Sequence, residues 1–128
     1  MLLTEIFADG DGQTHFRKVE IEFEMREFAP PSMPVQVSKE FSTTSSVFMM
    51  APPGWDKEYH PTPRKQICVM LSGALSVTAT DGETIHMGPG DVLLVNDMAS
   101  GGHLSQILSK EDASFLFVGL EGDLESAV

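Results

Sequence analysis

Three side chains in this sequence have chemistry and placement suited to work on a small molecule: His60, Gln66 and His103. An imidazole exchanges a proton near neutral pH and is a ready ligand for a divalent metal. A glutamine side chain offers one amide oxygen as acceptor and one NH2 as donor. Each of the three stands at the start of a short apolar run. His60 begins His60-Pro-Thr-Pro-Arg-Lys-Gln66, which leads into Ile67-Cys-Val-Met-Leu71 and ends at Ser72-Gly73. His103 follows Gly101-Gly102, after Gly88-Pro-Gly-Asp91, Val92-Leu-Leu-Val95 and a polar loop. Both histidines are candidates for catalysis, and with Gln66 they are candidate metal ligands. Arg64 is a candidate to hold an anionic group by a bidentate contact, with Thr62 and Tyr59 as neighbouring substrate-binding candidates. The plainer alternatives are polar residues satisfied by hydrogen bonds inside the fold and a solvated turn arginine.

For His60 and Gln66 to act together, the chain between them must turn. A continuous strand rises about 3.3 Å per residue, which would set their Cα atoms roughly 20 Å apart. Pro61 and Pro63 cannot donate to a sheet ladder and argue against a continuous strand. A turn through Pro63-Arg64-Lys65 with a new strand at Gln66 brings the side chains to one place. The glycine pair before His103 allows a sharp approach there too.

The rest of the chain reads as short strands. Val35–Phe41, Val47–Ala51, Gln66–Leu71, Ala74–Thr80, Glu83–Met87, Val92–Val95, His103–Leu108 and Ser114–Leu120 are expected strands, and Trp55–Thr62 is expected to hold a short extended piece. Asp81-Gly82 is a hairpin signal, and Gly90-Asp91 is a tight turn with Asp91 as turn former. No long helical period is present, so an all-β barrel or sandwich is expected. One domain spans 1–128: a peripheral arm over 1–34, a barrel over 35–120 and an acidic tail over 121–128. In the arm, Val19–Met25 alternates apolar and acidic residues and reads as a half-buried strand. Trp55, Phe48, Met49, Met50 and Met70 are candidates for core or cavity wall. His15 and His86 are expected at the surface.

Charge narrows the partners. Lys and Arg total 8 against 19 Asp and Glu, a net charge of -11. A nucleic-acid binder needs clustered cations to displace counterions, and an anionic membrane surface is disfavoured for the same reason. The one cysteine, Cys68, excludes an internal disulfide and a multi-cysteine zinc site, and it reads as a small buried hydrophobe. Met1–Glu5 shows no secretory signal and no apolar run reaches the ~20 residues of a membrane span. A cytoplasmic location is expected by default.

These segments resemble the two motifs of the cupin superfamily, over residues 45–120. His60 matches the first histidine of the first motif, Gln66 stands at its glutamate position and Gly73 matches its glycine. Gly90-Asp91 and His103 match the turn and the histidine of the second motif. The resemblance is to small single-domain cupins with a His-Pro-x-Pro-Arg-x-Gln run, an Asp-Gly hairpin and a late Gly-Gly-His. It implies the cupin double-stranded β-helix, or jelly-roll, barrel. It also implies a divalent metal (iron, manganese, nickel or zinc) at His60, Gln66 and His103, and a homodimer to which Val19–Met25 contributes.

The departures bear on function. Thr62 stands where the motif has its second histidine, and Gln66 supplies a neutral amide in place of a carboxylate, so the metal is expected to be weakly bound or absent. Asp97 or Glu58 is a candidate to restore a carboxylate. Three functions stay open. One is a metal-dependent enzyme of oxygenase, isomerase or lyase type. Another is a metal-free isomerase or epimerase with a histidine base. The third is a non-catalytic module for a sugar or organic acid.

Overall fold

The computed structural model describes residues 1–122, and the acidic tail expected over 121–128 lies for the most part outside the described residues. The chain forms eleven strands and no helix among the described residues. They are β1 (Leu2–Ala8), β2 (Thr14–Glu20), β3 (Glu24–Arg26), β4 (Val35–Val37), β5 (Thr43–Ala51), β6 (Gln66–Ser72), β7 (Leu75–Ala79), β8 (Thr84–Met87), β9 (Val92–Asn96), β10 (His103–Ile107) and β11 (Ala113–Leu120). A six-stranded sheet in the order β2-β1-β9-β6-β11-β5 faces a three-stranded sheet, β10-β7-β8. The small pair β3-β4 stands apart. The architecture is all-β, as the run of short segments and turns implies.

Period-two geometry sorts the side chains. Ile6, Cys68, Met70, Leu93, Val95, Phe115 and the apolar residues of β7 pack between the sheets. Val19, Leu94, Leu120 and Ile67 form a second cluster on the other side of the large sheet, covered by Ile21 and Phe41. Covering both faces explains the uninterrupted apolar runs at Ile67–Leu71 and Val92–Val95. The expected turns are present: Gly82 and Gly90 have φ of 93° and 90°. Asp91 Oδ2 accepts from the Gly88 N–H at 2.8 Å.

Three local expectations change. Residues 1–34 are not peripheral throughout, because β1 lies between β2 and β9 and places Ile6 in the core. Val19–Met25 is not one strand. The ladder with β1 ends where the Ile21 N–H donates to Met1 O, and the chain then leaves the sheet, exposing Met25 on β3. Over Val35–Phe41 only Val35–Val37 is strand. The short extended piece expected within Trp55–Thr62 is a single bridge at His60.

The two sheets are tied at one corner by side chains of β2. The Thr14 N–H donates to Thr80 Oγ1 at 2.7 Å and the Thr80 N–H donates to Thr14 Oγ1 at 2.8 Å. Thr14 Oγ1 also donates to Gly102 O at 2.8 Å. Beside this pair, His15 meets Asp9 Oδ2 through Nε2 at 2.7 Å and Asp81 Oδ2 through Nδ1 at 2.9 Å. Hydrogen bonds to Asp9 and then Asp81 raise the His15 pKa above its ordinary 6.5. The same contacts help hold Asp9 and Asp81 below their usual 3.8. His15, expected as a plain surface residue, is thus a clamp between the β1–β2 turn and the β7–β8 hairpin.

The sign of the pH effect follows. A histidine with a raised folded-state pKa contributes stability below its unfolded pKa and loses it as pH rises through the folded value. The clamp should therefore be complete below 6.5 and fade above it. His15→Gln should lower the urea midpoint at about pH 6, and the difference from the parent should shrink at about pH 9. An unchanged difference across that range would show that the imidazolium contributes nothing.

Candidate functional site

A cavity of about 400 Å3 lies between the sheets. Strand register orders its lining into rungs. Gln66 lies opposite Val95 and Gly119, and Gly119 lies opposite Ser45. Two residues along, Cys68 lies opposite Leu93 and Phe117, and Phe117 opposite Val47. Phe115 and Met49 make the third rung over buried Met70. On the facing sheet His103 and Ser105 alternate inward along β10. The polar side chains thus gather at the rung of Gln66 and His103, and the deeper rungs are almost wholly apolar.

His60 reaches this rung through its backbone. Its N–H donates to His103 O and the His103 N–H donates to His60 O, both at 3.1 Å. The approach is so close that a Cβ on Gly102 would fall 2.1 Å from the His60 carbonyl carbon, and Gly102 has a φ of 79°. The imidazoles come to rest with centroids 5.2 Å apart. Trp55 meets His60 edge-on at 6.2 Å and also lines the cavity.

Each imidazole rests on a carboxylate. Asp97 is fully buried; its Oδ2 lies 2.6 Å from His103 Nδ1 and its Oδ1 accepts the Thr62 N–H at 3.0 Å. Asp56 Oδ2 lies 3.0 Å from His60 Nε2 and accepts the Ser105 N–H at 3.0 Å. A carboxylate only accepts, so the hydrogen-bond network places a proton on Nδ1 of His103 and on Nε2 of His60, whose Nδ1 lies 3.4 Å from Pro61 O. Nε2 of His103 keeps its lone pair on the cavity side.

The turn between His60 and Gln66 forms as its prolines require. Thr62 Oγ1 donates to Arg64 O at 2.7 Å and accepts from Gln66 Nε2 at 3.3 Å. His60, Thr62, Arg64, Gln66 and His103 all line the cavity. Tyr59 is about half exposed and lies outside the lining, as does exposed Glu58. Of the wall candidates, Phe48 and Met49 line it, Met50 points to solvent and Met70 is buried beneath it. Cys68 lines the apolar part, and burial pushes its thiol up to about 12, which makes it an inert wall residue. Asp56 was not singled out by the sequence. Its position four residues before His60, just after the Pro52-Pro53-Gly54 turn, was the available signal.

The metal expected at His60, Gln66 and His103 does not fit this arrangement. Among the described residues no three His, Cys, Asp or Glu side chains converge as ligands. The Nε2 of His60 is occupied by Asp56, and the amide of Gln66 brings no negative charge. Asp97 supplies a carboxylate to the imidazole behind the site instead of to a metal.

Gly102→Ala tests the close approach. The Cβ collides with the His60 carbonyl and the backbone conformation is strained, so a loss of about 2 kcal/mol or more is expected. The urea midpoint reports it. A variant as stable as the parent would show that the bridge is not needed.

A family description headed Cupin domain matches residues 47–119. Solved structures with distant similarity include the Schizosaccharomyces pombe Cnp3 cupin domain, at 18% identity and a TM-score of 0.48, covering 88% of this chain and 76% of that one. Another is protein NMB1881 from Neisseria meningitidis, at 14% identity and a TM-score of 0.46, covering 66% and 84%. The SPY1581 protein of unknown function from Streptococcus pyogenes has 19% identity and a TM-score of 0.45, covering 66% and 69%. Among curated proteins none matches. No helix among the described residues is long and apolar enough to cross a membrane. The family match takes in His60, Gln66 and His103 and more than half of the sequence, and the chain belongs to the cupin family.

Proposed function

We propose that the cavity binds a small, largely apolar molecule and that His103 takes a proton from it without the help of a metal. The observation that carries this reading is the 2.6 Å contact between His103 Nδ1 and fully buried Asp97. An orienting carboxylate behind one nitrogen fixes the tautomer and stabilises the imidazolium that forms when the other nitrogen accepts a proton. The apolar walls favour such a transfer once a ligand displaces water from them, because the fixed polar groups then act at full strength. His60, tied to Asp56, stands beside the reacting position as an orienting hydrogen-bond neighbour. The lining also argues against a sugar. Its many hydroxyls would lose water without finding partners on Val47, Leu93, Phe115 and Phe117.

A second reading, binding without turnover, is favoured by the scarcity of polar groups in the deeper rungs. One experiment separates the two. A generic base-sensitive probe, 5-nitrobenzisoxazole, loses a C–H proton as its ring N–O bond breaks, giving a cyanophenolate and a protonated base. The protein should accelerate this over buffer. His103→Gln should lower the rate by about 100-fold or more. Asp97→Asn, which can donate to Nδ1 and so favour the other tautomer, should lower it by at least about tenfold. Added EDTA should leave it unchanged. Saturable binding with no acceleration would replace the enzymatic reading with the binding one, and EDTA-sensitive turnover would overturn the metal-free mechanism.

A further inference from the structure

The charge distribution around the cavity points to the class of ligand. Among the described residues the lining contains one side chain of fixed charge, Arg64, and no aspartate or glutamate. This is unexpected in a chain with 19 acidic residues against 8 basic ones. The two nearby carboxylates, Asp56 and Asp97, stand behind the imidazoles and are spent on His60, Ser105, His103 and Thr62.

A glycine borders the arginine. Along β11 the inward positions are Phe115, Phe117 and then Gly119. A Cβ at Gly119 would collide with Thr44 Oγ1 at 2.4 Å and would meet Arg64 Cδ in ordinary contact at 3.5 Å. The exposed Arg64 side chain lies beside this glycine, where Nη1 donates to Ser45 Oγ at 3.1 Å. A guanidinium carries five N–H donors in a fixed fork, and this one bond leaves donors for a second acceptor. Gly119, Ser45 and Gln66 share one rung. The cation is thereby placed at the polar rung, with two apolar rungs beyond it.

We infer that the cavity takes a monocarboxylate with an apolar body. Its carboxylate is held by Arg64, and its body runs over Cys68, Val47 and Phe117 toward Met49 and Phe115. The distance from the first rung to the third is four residues of strand, so the ligand is up to about 13 Å long. The inference rests on reading the cavity as a small-molecule site and adds the head group and the direction of binding.

Calorimetric titration with hexanoate, hexan-1-ol, hexylamine and acetate tests it. Hexanoate should bind at least about tenfold more tightly than hexanol, as charge-assisted bonds to a guanidinium allow. Hexylamine should bind more weakly than hexanol, and acetate, which lacks the apolar body, should bind weakest. Arg64→Gln should bring hexanoate to within about twofold of hexanol, and Arg64→Lys should keep part of the preference. Equal binding of acid and alcohol by the parent, no binding of any of the four, or an unaltered preference in Arg64→Gln would each overturn the inference. If the parent protein shows the preference for hexanoate but no acceleration of the probe over buffer, the proton-transfer reading falls and the ligand class stands. If the preference is absent while turnover persists, the reverse holds.

Discussion

The backbone of Gly102 and the backbone of His60 approach within a distance that no side chain at residue 102 could allow. Two reciprocal hydrogen bonds between His60 and His103 close that contact. The stretch from Pro52 to Lys65 belongs to no strand, so this bridge is what fixes its place over the barrel. Thr14 reaches the same spot from the other side through Gly102 O. The N-terminal strands, the loop carrying His60 and the strand carrying His103 thus meet at one glycine. Only a residue without Cβ and tolerant of positive φ serves there.

Carboxylates do the second half of the positioning. Asp97 joins the end of β9 to the turn at Thr62 and to the ring of His103. Asp56 joins the loop to the backbone of β10 and to the ring of His60. Each negative charge is satisfied by one backbone N–H and one imidazole, the kind of complete pairing a buried ion requires. Because both acids are consumed as supports, the cavity itself is left with neutral and cationic side chains. The same arrangement that orients the histidines therefore removes the ligands a metal would need.

What the sequence made legible was local. Asp81-Gly82, Gly88–Asp91 and Gly101-Gly102 specify turns through their own conformational needs, and the prolines around Thr62 break the chain where it does turn. The gathering of His60, Thr62, Arg64, Gln66 and His103 followed from those breaks. Partners distant in the chain were not legible. Asp56 and Ser105 are 49 residues apart, and no local pattern links them. The strand Leu2–Ala8 was missed because its burial does not alternate: adjacent Glu5 and Ile6 are both buried, so the period that marks a half-buried strand is absent. Val19–Met25 misled for the opposite reason: its alternation is real, but no neighbouring strand continues past Ile21.

Strand β5 forms one wall of the cavity through Val47, Phe48 and Met49, yet within its sheet it is bonded to β11 alone. Every other strand that walls the cavity from the large sheet is held on both sides. Its Val47, Phe48 and Met50 are all largely exposed, so little packing backs it. Opening free energy is lowest where buried contacts are few. Of the walls that the large sheet supplies, β5 is thus the most compliant. A ligand of the proposed class would then be selected sharply by its head group and loosely by the girth of its body.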